Sequence, residues 1–132
     1  MTSPSPKLRV LLVDDSSIAR DLIRSSLAEV LAADSPGYEL VEVNEGRTAL
    51  ARLEKESFDL LLLDWVLPKL HGSEVLKQVR SSAKTLRLPV VVISSAPDET
   101  RDVALKAGAN AFVSKPVVNS RLTDALHLAL RG

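Results

Sequence analysis

The sequence contains no cysteine in 132 residues. That excludes disulfides, thiolate metal sites and a cysteine nucleophile, and it leaves the cytoplasm as the default compartment. Long hydrophobic runs are also missing. Leu60 to Leu63 and Val90 to Ile93 are about four residues each, against the roughly 20 that a transmembrane helix needs, so no membrane partner is expected. There is no excess of either charge: 17 Lys and Arg face 17 Asp and Glu. A balanced chain lacks the strongly basic surface of a nucleic-acid binder. Met1 to Lys7 (MTSPSPK) has no apolar segment of the kind a secretory signal requires, and residues 1–7 read as a short disordered tail. Neither G-x-G-x-x-G nor G-x-x-x-x-G-K-[ST] occurs, which argues against nucleotide binding.

What is present is an ordinary globular composition, 45% hydrophobic and 26% charged, at the usual length of one domain. Residues 8–131 therefore read as a single unit. The chain stops one residue after Arg131, as either a stand-alone domain or a piece cut at a helix end.

Apolar strands and amphipathic helices alternate throughout, the order a parallel α/β sheet needs. Strands are expected at Leu8 to Val13, Tyr38 to Val43, Asp59 to Leu63, Pro89 to Ile93 and Ala111 to Val113. The first, third and fourth are almost continuously apolar, as central strands covered on both faces should be. YELVEV alternates, which marks the second strand as an edge. Helical periodicity predicts Ser16 to Leu31, with Ile18, Leu22, Ile23, Leu27, Val30 and Leu31 on one stripe. It also predicts Gly46 to Glu56, Ser73 to Ser82 and Asn119 to Leu130. Asp98 to Ala107 carries only the weak stripe of Val103, Ala104 and Ala107, so it is the expected mobile element.

Ligand sites in open α/β sheets lie at the carboxyl ends of the strands. Asp14 and Asp15 follow the first strand, Asp64 the third, Ser94 and Ser95 the fourth, and Ser114 and Lys115 the fifth. A strand order of 2-1-3-4-5 would bring these groups into one pocket. Three neighbouring carboxylates repel one another unless a cation compensates. An all-oxygen donor set without His or Cys suits Mg²⁺. A lysine and a hydroxyl on the opposite wall would bind the remaining oxygens of a phosphoryl group. Each piece also has a plainer reading. Asp14 and Asp15 could cap the following helix, Asp64 could sit in a turn, Lys115 could be a solvated residue before a proline-started helix, and Phe112 could be core. The joint order, with each group at the end of a different strand, favours the pocket.

The stretches VLLVDDS (Val10 to Ser16), LLLLDWVLPKLHG (Leu60 to Gly72), LPVVVISSA (Leu88 to Ala96) and GANAFVSKP (Gly108 to Pro116) resemble the response-regulator receiver domains of bacterial two-component signalling. The likeness covers about residues 7 to 131. It implies a doubly wound five-stranded parallel sheet of flavodoxin-like type, and a signalling phosphoacceptor rather than an enzyme acting on external substrates. Asp64 would take a phosphoryl group from the phosphohistidine of a sensor histidine kinase or phosphotransfer protein. Asp14, Asp15, Asp64 and the backbone carbonyl of Val66 would hold Mg²⁺. Lys115 would neutralise phosphoryl oxygen, with a cis bond to Pro116. Ser94 and Phe112 would switch, changing the surface of the fourth helix, fifth strand and fifth helix for a downstream protein.

Five departures from the family pattern bear on behaviour. Ser94 stands where threonine is commoner, which keeps the hydroxyl and loses a methyl. Val66 and Ala96 are apolar where some members orient water, which implies slow loss of the phosphoryl group. His71 replaces a frequent acid and reads as an exposed loop residue. The stretch Ala32 to Gly37 lengthens the first helix-to-strand connection, more simply as a surface insertion than as a partner contact. The region Gly108 to Val113 lacks the acidic pair of dimerising members, which implies a monomer. The rival readings are an unphosphorylated docking module of the same fold and a small Mg²⁺-dependent phosphohydrolase. The latter would want an Asp-x-Asp pattern after the first strand, where this chain has adjacent aspartates.

Overall fold

The computed structural model describes residues 7–31, 37–95 and 98–131. Residues 1–6 of the tail expected over 1–7, residues 32–36 of the connection read at Ala32 to Gly37, and Ala96 lie outside them.

Among the described residues, five strands form one parallel sheet: β1 (Leu8–Val13), β2 (Tyr38–Val43), β3 (Leu60–Asp64), β4 (Val90–Ser94) and β5 (Ala111–Ser114), in the order β2-β1-β3-β4-β5. Between and after them run α1 (Ser17–Val30), α2 (Gly46–Lys55), α3 (Gly72–Ser81), α4 (Asp98–Lys106) and α5 (Asn119–Arg131). Side chains alternate across a strand, so the apolar runs feed two cores. Leu11, Val13, Leu61, Leu63, Val90 and Val92 face α2, α3 and Ala104 of α4. Val10, Leu12, Leu60, Leu62, Val91 and Ile93 face α1 and α5. β3 and β4 are buried at every residue, whereas β2 has no buried position. Continuous hydrophobicity therefore marks the centre of the sheet and alternation its edge, as the sequence pattern predicts.

Two helical stripes differ from expectation. In α1 only Ile23 and Leu27 are buried, while Ile18 is 72% and Leu22 58% exposed. At about 100° of turn per residue, positions 18 and 22 lie roughly 100–180° around the helix from positions 23 and 27. The apolar residues thus form two faces, of which one packs on the sheet. In α4, Ala104 is fully buried, but Val103 is 57% exposed and Ala107 is exposed as well. A single methyl is a small anchor, given that burying a whole Val or Leu contributes about 1.5–3 kcal/mol.

Strand ends also shift by a residue. Asp64 and Ser94 are the last residues of β3 and β4 rather than the first beyond them. They are thereby held by the ladder itself, in register with the neighbouring strands: Asp64 lies opposite Ile93, and Ser94 opposite Ser114.

Candidate phosphoryl and cation site

The carboxyl edge of the sheet gathers the polar groups singled out by the sequence. Backbone hydrogen bonds beyond the strands extend the alignment: the Asp14 N–H donates to the Val43 carbonyl (3.2 Å), the Trp65 N–H to Ile93 (3.2 Å) and the Lys115 N–H to Ser94 (2.9 Å). Asp14, Asp64 and Ser94 are buried, and Asp15 is exposed. One carboxylate oxygen from each of Asp14, Asp15 and Asp64 lies within 4.8 Å of the others. Lys115 Nζ closes the cluster, 2.8 Å from Asp14 Oδ2 and 3.4 Å from Asp64 Oδ2. The Lys115–Pro116 peptide is cis.

The acids do not cap α1. Ser16 does, its Oγ accepting from the Ala19 N–H at 3.1 Å. Asp14 Oδ1 instead accepts from the Ser16 N–H at 2.9 Å. The cap belongs to the serine, and the acid pair is left facing the site.

Charge in this cluster is tuned by burial. Desolvation raises the Asp64 pKa to about 6, helped by repulsion from Asp14 and opposed by Lys115 and by the Val66 N–H, which donates to Oδ1 at 3.3 Å. At neutral pH Asp64 is thus an ionised, poorly solvated carboxylate, the condition under which an oxygen nucleophile is most reactive. Burial pulls the Lys115 ammonium down, but its hydrogen bond to Asp14 and the charges of Asp64 and Asp14 more than offset this, and its pKa is raised overall. The ammonium therefore stays charged opposite the acids.

The loop after β3 is held by close backbone contact. The Gly72 N–H donates to the Trp65 carbonyl at 3.0 Å. His71, read from the sequence as an exposed loop residue, is exposed and precedes α3, and it is also the N-cap of that helix: Nδ1 accepts from the Ser73 N–H at 3.0 Å. Its ring meets that of buried Trp65 edge-on, with centroids 5.6 Å apart. The cap was hard to see because histidine is not among the strongly preferred N-cap residues. Val66 is 58% exposed at the rim of the site. Phe112 is half-buried against the α2–α3 core, and it lines a groove of about 720 Å³ together with Arg101, Leu105, Val118, Arg121 and Leu128.

The donor set fits a hard divalent cation. It consists of carboxylate oxygens alone, two of them buried, at a spacing that one ion can bridge. Asp14, Asp15 and Asp64 are the residues that would hold it.

A 2-1-3-4-5 parallel sheet with two acids after β1, one at the end of β3 and a lysine after β5 defines a receiver domain, and the chain belongs to that family: the model of the response regulator receiver domain matches residues 10–127. Among its relatives is the chemotaxis protein CheY1 of Helicobacter pylori, 30% identical over 126 residues, which cover 93% of this chain and 97% of CheY1. The gliding motility regulatory protein of Myxococcus xanthus is 36% identical over 110 residues, which are 83% of this chain but 13% of that protein. The solved structure of the bacteriophytochrome response regulator RtBRR superposes with a TM-score of 0.83 at 31% identity, covering 94% of this chain and 78% of the other. Members of this family act as signalling phosphoacceptors between histidine kinases and downstream targets. Among the described residues no helix is long and apolar enough to cross a membrane.

Proposed function

We propose that residues 8–131 form a cytoplasmic, monomeric receiver unit that accepts a phosphoryl group on Asp64 and signals through changed protein binding. The observation that carries this reading is the seat of Asp64, buried at the end of β3 with Lys115 Nζ 3.4 Å away and two further carboxylates close by. A carboxylate oxygen of Asp64 attacks the phosphorus of a phosphohistidine. The P–N bond breaks and the imidazole leaves, yielding an aspartyl phosphate. Asp14, Asp15, Asp64 and the carbonyl of Val66 would hold Mg²⁺, which would supply positive charge to the phosphoryl oxygens when bound. Lys115 neutralises a further oxygen, and the Ser94 hydroxyl donates to another.

The phosphodonor must bring its histidine to this mouth. Exposed Ile18 and Leu22 border it with Ala19, Pro116 and Val117, around a cleft of about 380 Å³. An apolar rim beside a charged centre suits the helical surface of a kinase or phosphotransfer protein. Phosphorylation adds up to about two negative charges at Asp64. Ser94 and Phe112 then turn that local event into a change on the face formed by α4, β5 and α5. With apolar Val66 at the rim, hydrolysis of the aspartyl phosphate is expected to be slow.

Trp65 is the only tryptophan and adjoins Asp64. Its fluorescence is expected to change on titration with MgCl₂, and again when beryllofluoride is added as a phosphoryl mimic. Silence to both would leave only a docking module of this fold. Turnover of an external phosphate ester would point to a hydrolase.

A further inference from the structure

Beyond the acids themselves, one basic side chain holds the backbone that carries them. The carbonyl of Asp14 lies past the end of β1, since the paired residues of β1, β2 and β3 stop at Val13, Val43 and Leu63. Arg20, in the first turn of α1, reaches back, and its Nη1 donates to that carbonyl at 2.6 Å. The same guanidinium is oriented from β2: its Nε lies 3.4 Å from Glu42 Oε1. Glu42 is fixed in turn by two bonds from Arg24, at 2.8 and 3.0 Å. Arg20 and Glu42 side chains are only 20% and 24% exposed, so this contact is not screened as a surface pair would be.

The Asp14 carbonyl belongs to the peptide that joins Asp14 to Asp15. The Asp14 N–H is already fastened to Val43. With the carbonyl fastened as well, neither side of Asp14 can rotate, and the direction in which the chain delivers Asp15 is set. We infer that Arg20 is a positioning residue for the cation site, holding the Asp14–Asp15 peptide so that both carboxylates point at one ion. This rests on the reading of the acid cluster as a Mg²⁺ site, and it adds a residue that makes no contact with the ion.

The sign of the effect separates this role from electrostatics. An arginine beside an acidic site repels a cation, so charge alone predicts that removing it tightens Mg²⁺ binding. Positioning predicts the opposite. The test is titration of the full chain with MgCl₂, followed by Trp65 fluorescence, with folding checked by circular dichroism and urea unfolding. Arg20→Met is expected to weaken Mg²⁺ binding about tenfold, the scale on which groups that orient metal ligands act. Arg20→Lys keeps a donor able to reach the carbonyl and is expected to recover most of the affinity. Arg20→Gln, the milder change should the methionine variant fail to fold, is expected to weaken binding in the same direction. Unchanged or tighter binding in folded Arg20→Met or Arg20→Gln overturns the inference, as does an Arg20→Lys variant as weak as Arg20→Met. Wild-type protein that shows no Mg²⁺ response would instead overturn the underlying cation site.

Discussion

Asp64→Asn is expected to lose phosphoryl uptake and, in the absence of Mg²⁺, to unfold at higher urea than the wild type. The first effect follows from chemistry. An amide is not a nucleophile, so labelling by a small phosphodonor is expected to fall by at least about a thousandfold. The second follows from where the charge sits. Burial and the neighbouring Asp14 raise the Asp64 pKa to about 6, against a normal 3.8. Between those values the folded protein binds a proton that the unfolded chain has released, so stability rises as pH falls from about 6 to 4 and is lost again as pH rises. Near neutral pH the ionised form therefore costs about 2–3 kcal/mol. Asparagine removes that cost along with part of the pH slope. Urea unfolding at pH 5 and 7 checks both, and equal stability of the two proteins at pH 7 would contradict the account. A carboxylate held at the expense of fold stability is what a functional site produces.

Gly72→Ala is expected to damage fold and site together. A Cβ at this position would lie 2.5 Å from the Asp64 carbonyl oxygen and 2.8 Å from both the Cα and the carbonyl oxygen of Trp65. All three are backbone atoms, which cannot turn aside as a side-chain end can. Relief requires the loop to lift off β3, with loss of the Gly72 to Trp65 hydrogen bond and of the packing of Trp65. The expected cost is about 3 kcal/mol or more, in the range of severe overpacking. Gly46→Ala makes the comparison. Its Cβ would meet Cγ2 of buried Val75 at 2.7 Å and the Leu70 carbonyl at 3.1 Å, one side-chain atom inside 3.0 Å rather than three backbone atoms, so a smaller loss is expected. Thermal unfolding of both variants tests this, and a Gly72→Ala protein within 1 kcal/mol of wild type would contradict it.

Much of the fold was legible because its strands are central and parallel. Burial on both faces writes a continuous apolar run, and β1, β3 and β4 carry one each. The grouping of acids, hydroxyl and lysine was legible for a related reason: in a parallel sheet every carboxyl end points the same way, so position after a strand implies position in space. What the sequence hid depends on direction around a helix or on contacts between distant backbone atoms. Ile18 and Leu22 share the three-to-four spacing of Ile23 and Leu27, yet they occupy another face of α1 and remain exposed. Arg20 lies outside the apolar stripe, and nothing in its spacing reveals that it bonds the carbonyl of Asp14. His71 is one residue before α3, where capping depends on a ring nitrogen accepting a backbone N–H. Gly72 shows its role only when the approach of β3 is measured.

Phosphoryl uptake on Asp64 is the step on which the proposed function depends. It is tested most directly by incubating the full chain with phosphoramidate and MgCl₂, measuring intact mass, and mapping the modified residue after borohydride reduction. One added phosphoryl group is expected, located on Asp64, dependent on Mg²⁺ and abolished by chelation. A phosphoryl group on Asp14 or Asp15, or uptake unaffected by chelator, would contradict it.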